Sequence, residues 1–453
     1  MSTNSMTISA EHTESWLDAY QGQALPGEHL EWLQTQRSEA LKHFENVGLP
    51  GIRDEQWRYT NLRALKSNAY ALSAPSTHSS DSLEKLSRNS HPTLVFLNGF
   101  FRKDLSSLNG IGQDFTFCSL AEALTNEATN LEAVLETYFG KSLPKEQHGF
   151  TALNTAYNQD GYVLILPKGC VVEDTLEICF LHDAQTDNNS INSSISHSRN
   201  VIVAAANSRC TIVERHLALD QSVYLSNTVT EIHAEQNAHV DHYKILKGSD
   251  EAFHMGGVFI EQATGSNVKN HNVALGGLVN RNDIYCNLNG RGAHIEMNGL
   301  VLGKNRQHVD NHTEVNHAVP DCTSDEFYKT ILDDQSRSVF RGRIIVAQDA
   351  QNTNADQQNN NLLLSKHAEA DCKPQLEIYA DDVKCSHGAT VGQLDSKSLF
   401  YLRSRGIDSE SARALLTFAF ANEVIERVNI TSVREELTQT IAGQLLSGLE
   451  ELL

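Results

Sequence analysis

Apolar and polar positions change rhythm twice along the chain. Up to about Leu65 the apolar residues recur at helical spacing. Leu30, Leu33, Leu41, Phe44 and Val47 fit one stripe, and Gly48 with Pro50 supplies the stop. Trp57 and Tyr59 sit two apart in an extended or irregular piece and read as packing anchors. Residues 73–92 turn to Ser, Thr, Asp and Asn, the mark of a linker or long surface loop. Residues 93–99 read as a strand and turn, followed by short helices over 119–124 and 131–139.

From about Gly161 to Gly392 helical periodicity disappears. Short β-type runs, such as those at 163–166, 201–204, 210–213, 258–260 and 344–346, are broken by Asn, Gly and Asp. A sandwich pair, a propeller and a parallel β-helix all fit so long a run of strands. No period near 40 to 50 residues with aromatic markers is visible, which argues against a propeller. Asn270, Asn272, Asn280, Asn282, Asn287, Asn289 and Asn298 are dispersed as if many small turns stacked at the corners of a coil. Such coils are expected to bury Val, Ile and Leu inward behind a polar outer wall. At about 4.8 Å per coil, roughly ten coils make a stiff rod near 50 Å long.

Helical spacing returns near Ser396. A helix from Tyr401 to Arg405 ends at Gly406. Asp408 is placed to cap a second helix, with the stripe Ala412, Leu415, Leu416, Ala419, Phe420 and Val424. Ser432 and Glu435 form a capping box ahead of Leu437, Ile441, Leu445 and Leu449. These helices are expected to close the open end of the solenoid, which otherwise leaves strand edges bare. The organisation is therefore a helical and mixed region at 1–150, a β-helix core at 151–393 and a helical region at 394–453, mainly β overall.

Charge narrows the partners. A formal charge of −21, from 57 acidic against 36 basic residues, argues against nucleic acid and against an anionic membrane surface. No apolar run reaches the roughly 18 residues that span a bilayer, and the N-terminus lacks a secretory pattern, so a cytoplasmic location is expected. Eight scattered cysteines without a Cys-x-x-Cys pair exclude a zinc ribbon and a self-contained ferredoxin site, and read mostly as small buried thiols.

No enzyme machinery is apparent. Gly140-Lys141-Ser142 lacks the first glycine of a Walker A loop, since Leu135 stands there. There is no Gly-x-Ser-x-Gly elbow. Asp333-Asp334 and Asp381-Asp382 are adjacent acids, which on a strand point to opposite faces and do not converge on one bond. His308, His312 and His317 read as surface polar residues, and nothing in the sequence brings His216, His233, His239, His242, His254 and His271 together. Cys385 and His387 are the exception. On a strand they share one face, and a soft sulfur with a borderline nitrogen suits iron, zinc, copper or a cluster. Two donors are too few for a closed site of about four ligands, so the remainder must come from elsewhere in the chain or from a partner.

The residues around this pair resemble a known family. Residues 380–395, with Cys385-Ser386-His387-Gly388-Ala389-Thr390 at their centre, and residues 399–407, Leu-Phe-Tyr-Leu-Arg-Ser-Arg-Gly-Ile, look like the signature of the SufB/SufD family of iron-sulfur cluster assembly scaffolds. Phe340-Arg341-Gly342-Arg343, Asp349-Ala350-Gln351, residues 361–365 and Glu55-Gln56-Trp57-Arg58-Tyr59-Thr60 are similar to the same family. The likeness is dense from about Phe340 to Glu423 and thinnest between about Leu65 and Gly149. The form at 385–390, and a first cysteine as late as Cys118, resemble the SufD type more than the SufB type.

The resemblance implies a right-handed parallel β-helix, a non-catalytic scaffold role, pairing with a SufB-type subunit and binding of a SufC-type ATPase through the helical tail. A homodimer is an expectation for the chain alone. Under the resemblance Cys385 and His387 become metal ligands shared with the partner, holding iron or a nascent cluster transiently, with no cofactor tightly bound by the chain alone. Tyr401, Arg403, Arg405, Phe420 and Glu423 become candidates for partner contact. A SufB-type paralogue is the alternative, and a β-helix polysaccharide lyase or hydrolase is the third reading.

Overall fold

A computed structural model describes residues 16–17, 24–68, 70–75, 91–108, 114–125, 131–144, 147–184 and 193–445. Most of the segment read as a linker at 73–92, and Leu449 of the last helical stripe, lie outside the described residues.

Two sheets of ten strands face each other. Strands β1 (Ala71–Leu72), β2 (Thr93–Leu97), β3 (Phe100–Phe101) and β4 (Thr116–Ser119) begin the order. One wall of the rod is then β5 (Tyr162–Leu166), β7 (Ser193–Ala204), β9 (Val223–Ala234), β11 (Phe253–Gln262), β13 (Val279–Leu288), β15 (His308–His317), β17 (Arg337–Val346) and β19 (Glu369–Ile378). The other is β6 (Val171–His182), β8 (Arg209–Ala218), β10 (His239–Lys247), β12 (Asn267–Ala274), β14 (His294–Gly303), β16 (Thr323–Leu332), β18 (Thr353–Leu363) and β20 (Val383–Gly392). Pairing is parallel throughout these walls, so the chain winds as a parallel β-solenoid of about seven turns. That is shorter than the ten coils expected, and a 4.8 Å step gives a rod of roughly 35 Å.

Turns between the walls explain the winding. Gly169, Asn207, Asn237, Gly265, Gly292, Asp321 and Asn352 all adopt positive φ, one per coil. Neighbouring turns bond to one another, as in Asn207 N to the Gln236 carbonyl, Gly265 N to the Arg291 carbonyl and Asn352 N to the Asp382 carbonyl. Asn, Asp and Gly are the residues that accept this conformation cheaply. The asparagines named from the sequence as corner residues are placed differently. Asn270, Asn272, Asn280, Asn282, Asn287 and Asn298 lie inside strands, and five of the six are buried.

The interior is apolar along only part of its width, which corrects the expectation of an aliphatic lumen. Ile202, Ile232, Ile260, Cys286, Val240, Val268 and Ile295 pack there. Beside them, the register stacks inward positions of the even wall in one column, His242, Asn270, Met297, Glu326, Gln357 and His387. Two inward glycines make room for bulkier neighbours. A Cβ on Gly299 would lie 2.1 Å from the Tyr328 ring, and one on Gly342 2.2 Å from Gln357 Nε2. Gly299→Ala is therefore expected to destabilise the chain by about 1–3 kcal/mol through overpacking, read from urea denaturation. An unchanged midpoint would refute this packing account.

Helices cover the two walls on their outer sides. α1 (Glu31–Val47), α2 (Arg63–Lys66), α3 (Leu120–Thr125), α4 (Leu131–Tyr138) and α5 (Gly149–Tyr157) precede the coils. Phe44, Trp57 and Phe150 join Ile195, Leu225, Phe253 and Val279 of the odd wall in one cluster. The buried face of α1 is Leu33, Arg37, Ala40 and Phe44. Val47 is exposed and Leu41 only half-buried, because this face follows the wall it meets rather than the most apolar stripe.

At the other end, α6 (Ser396–Ser404), α7 (Ser409–Ile425) and α8 (Thr431–Leu445) follow the last strand. Asp408 caps α7 as expected, accepting from the amides of Glu410 and Ser411. Ala421, Val424, Ile425, Val433, Leu437 and Ile441 pack on Tyr243, Val273, Leu300, Phe327 and Ile331. Ala419 is exposed, so the buried face is rotated from the expected stripe. The helices lie on the flank of the even wall and do not close the rod, which overturns their expected capping role. The N-terminal end is finished by the antiparallel pairings β2–β3 and β4–β5. At the C-terminal end β19 and β20 are the outermost strands of their sheets.

Candidate functional site

That uncovered end is the candidate site. β20 stacks on β18 with Cys385 over Ala355 and His387 over Gln357. Ala355 and Gln357 are both buried, so the two donors share the inward face of the final coil. His387 is exposed and Cys385 half-buried, beside the small cluster of Ile344, Val346, Ala350, Ala355 and Ala380. Burial raises the Cys385 thiol above its usual range, offset in part by a hydrogen bond with the Ala355 backbone. A thiol held neutral must lose its proton before it can ligate a metal.

On the facing strand, Cys372 donates to Asn359 Oδ1 at 3.0 Å and accepts from Asn361 Nδ2 at 3.1 Å. Among the described residues no three His, Cys, Asp or Glu side chains come together in a metal-holding arrangement. The rim carries exposed apolar groups in Ile378, Tyr379 and Val391. Unpaired strand edges with apolar flanks are surfaces on which another strand can add.

The tail candidates separate into two groups. Tyr401 is exposed with the Arg405 guanidinium 5.1 Å from its ring centre, and Arg403 is exposed on the same helix. Phe400, which the sequence reading passed over, is 74% exposed and lines a cavity of about 600 Å³ with Tyr401, Leu402 and Leu416. Phe420 and Glu423 instead meet Lys329 of β16. Its ammonium lies 4.2 Å from the Phe420 ring centre and 2.7 Å from Glu423 Oε2. These two residues fasten α7 to the rod.

The histidines correct the sequence reading. His312 and His317 are buried, and His308 is within 2.9 Å of the Thr60 hydroxyl. His312 belongs to a buried network with Arg281, Asp283 and Asp310. His216 and His242 both meet Glu214, at 3.5 and 3.0 Å. A spacing of two along one strand sets Glu214 beside His216, Arg281 beside Asp283 and Asp310 beside His312, whereas only strand register across coils brings His242 to Glu214 and the Asp310–His312 pair to Arg281. Asp333 and Asp334 sit at a turn, where Asp334 accepts from the Asn305 amide.

Comparison with known proteins agrees with this architecture. Residues 185–420 match the family described as SUF system FeS cluster assembly, SufBD core domain, and residues 10–178 match the SufBD protein N-terminal region. The chain belongs to the SufBD family. An iron-sulfur cluster assembly SufBD family protein of Synechocystis is 31% identical over 90% of this chain and 90% of its own length. The iron-sulfur cluster assembly protein SufD of Escherichia coli is 31% identical over 91% of this chain and 93% of its own. The SufD protein of Bacillus subtilis is 24% identical over 96% of this chain and 98% of its own. In this chain the uncovered final coil is where strand edges, an apolar rim and the Cys385–His387 pair coincide. Among the described residues no helix is long and apolar enough to cross a membrane.

Proposed function

We propose that the chain is a non-catalytic, cytoplasmic scaffold subunit of the SufD type. Its uncovered end pairs with a SufB-type β-solenoid, and its helical tail binds a SufC-type ATPase. Cys385 and His387 then complete a shared site with ligands of the partner, where iron enters and a nascent cluster forms transiently. One observation carries this reading: both donors sit on the inward face of the final coil, which none of the described residues covers. A site divided between two chains can be opened by moving them apart, which a closed four-ligand site cannot. Without the SufB-type partner the same edges offer pairing to a second copy.

The test is anaerobic purification of the tagged chain from its host, with partners identified by mass and the eluate assayed for iron and acid-labile sulfide. Recovery of a P-loop ATPase and a second β-rich chain supports the reading. Recovery of the chain alone and metal-free rejects it. In the same assay, a Phe400→Asp, Tyr401→Asp variant is expected to weaken ATPase capture at least about tenfold, the scale of losing one aromatic anchor. The second β-rich chain should still be retained. Undiminished ATPase recovery would place that docking elsewhere.

A further inference from the structure

Beneath His387 the solenoid is not sealed by apolar packing. The register places Gln357 directly under His387, and Glu326 directly under Gln357, all on the inward face. Gln357 and Glu326 are fully buried. Yet Oε1 of Glu326, both amide atoms of Gln357, the Tyr328 hydroxyl and Nδ2 of Asn359 lack hydrogen-bond partners. Each such orphan costs about 1–3 kcal/mol unless something enters to satisfy it. Below Glu326 the column turns apolar: Met297 lies beneath it, and Tyr328 packs on Phe340 with ring centres 4.9 Å apart. Above Gln357 the column ends at its mouth, the uncovered final coil.

Glu326 also differs from the other fully buried carboxylates. Glu231 is paired with Arg199, and Asp283 and Asp310 share Arg281. Glu214 faces His216 and His242. Asp160 accepts from the amides of Phe101, Ala121 and Gly161. Glu326 has no cation and no backbone amide among the described residues; it faces the Thr313 hydroxyl, 2.6 Å from Oε2, and the Gln357 side chain.

We propose that Glu326, with Gln357 and Tyr328, forms an inner station for a hydrated divalent cation, two rungs beneath His387. The proposal rests on the reading that the mouth receives iron, and it names where a ferrous ion waits before transfer. One carboxylate and neutral oxygens are hard donors, too few to strip an ion of its water, and they suit an aquated first-row cation better than a cluster. Burial raises Glu326 to about 7, so an arriving cation displaces a proton readily at neutral pH.

The test uses the assembled complex, anaerobically, with two probe metals. Mn²⁺ followed by its EPR signal reports an oxygen-donor site, and Co²⁺ followed by its thiolate charge-transfer band reports Cys385. Glu326→Gln is expected to weaken Mn²⁺ binding at least about tenfold while leaving the cobalt band intact, and Cys385→Ala should do the reverse. Gln357→Leu keeps the carboxylate but replaces the amide beside it with an apolar group and should also weaken Mn²⁺ binding, which keeps the test decisive if Glu326→Gln folds poorly. Mn²⁺ binding as tight in either folded variant as in the parent overturns the station. A parent complex that binds Mn²⁺ but shows no cobalt band leaves the station standing and rejects the ligand role of Cys385.

Discussion

Arg281→Met will destabilise the chain by about 3–5 kcal/mol and release the N-terminal segment from the odd wall. Arg281 is fully buried, with Nη2 2.8 Å from Asp283 Oδ1 and Nη1 2.8 Å from Asp310 Oδ2. Nη1 also donates to the Gln56 carbonyl at 2.8 Å, and the guanidinium lies 3.8 Å from the Trp57 ring centre. Thr60 donates to the same Asp310. Removing the guanidinium strands two carboxylates in the interior and at once removes the platform on which Trp57 rests.

The pH dependence has a definite sign. In the parent, the charges of Arg281 and of the neighbouring imidazoles hold Asp283 and Asp310 well below the usual carboxylate range, overriding burial. That stabilisation is present above the unfolded value near 3.9 and is lost as pH falls through the folded values. In the variant only the imidazoles and hydrogen-bond donors still oppose burial, so the same carboxyls move upward and protonation restores part of its stability. The gap between parent and variant is therefore widest near neutrality and narrows toward about pH 5. Urea denaturation at several pH values measures it, and tryptic cleavage at Arg58 reports release of the segment. A variant with the parent's midpoint and cleavage rate would show that the network is not what binds the N-terminal region.

How far the sequence carries depends on the range of each interaction. Short β-runs broken by turn formers mark the region as repeated β-structure because every coil repeats the same local choice, but the asparagines taken as corners lie mostly inside strands. Asp408 identifies a cap because capping is settled within three residues. The inward polar column was illegible. Glu326, Gln357 and His387 are separated by whole coils, and only strand register makes them neighbours. The same reasoning explains the histidine error, since His312 meets Arg281 across adjacent strands that are distant in the chain. The tail helices were misplaced for a related reason. Their apolar stripes show that they bury a face but not which surface receives it. The receiving residues, Tyr243, Val273 and Leu300, alternate with inward positions on strands that read simply as β. That Cys385 and His387 share one face was legible because a separation of two on a strand is itself a geometric statement.

Replacing that pair gives the second large effect, and it separates a ligand from a structural residue. His387→Ala in the assembled complex is expected to slow cluster formation at least about tenfold, with unfolding free energy unchanged within about 0.5 kcal/mol because the ring is exposed. Cys385→Ala should slow formation similarly, with a small stability change since the thiol is only half-buried. If both act on one metal, the double variant loses little more than either single one, because groups that work as a unit are not additive. Burial of Cys385 adds a further discriminator. The thiol starts protonated, so binding of a soft metal releases a proton and apparent affinity rises with pH between about 7 and 9 in the parent. Cys385→Ala should flatten that rise. Cluster formation by His387→Ala at the parent rate, with the pH profile unaltered, would remove the imidazole from the shared site and leave the thiol as the donor this chain contributes at the mouth.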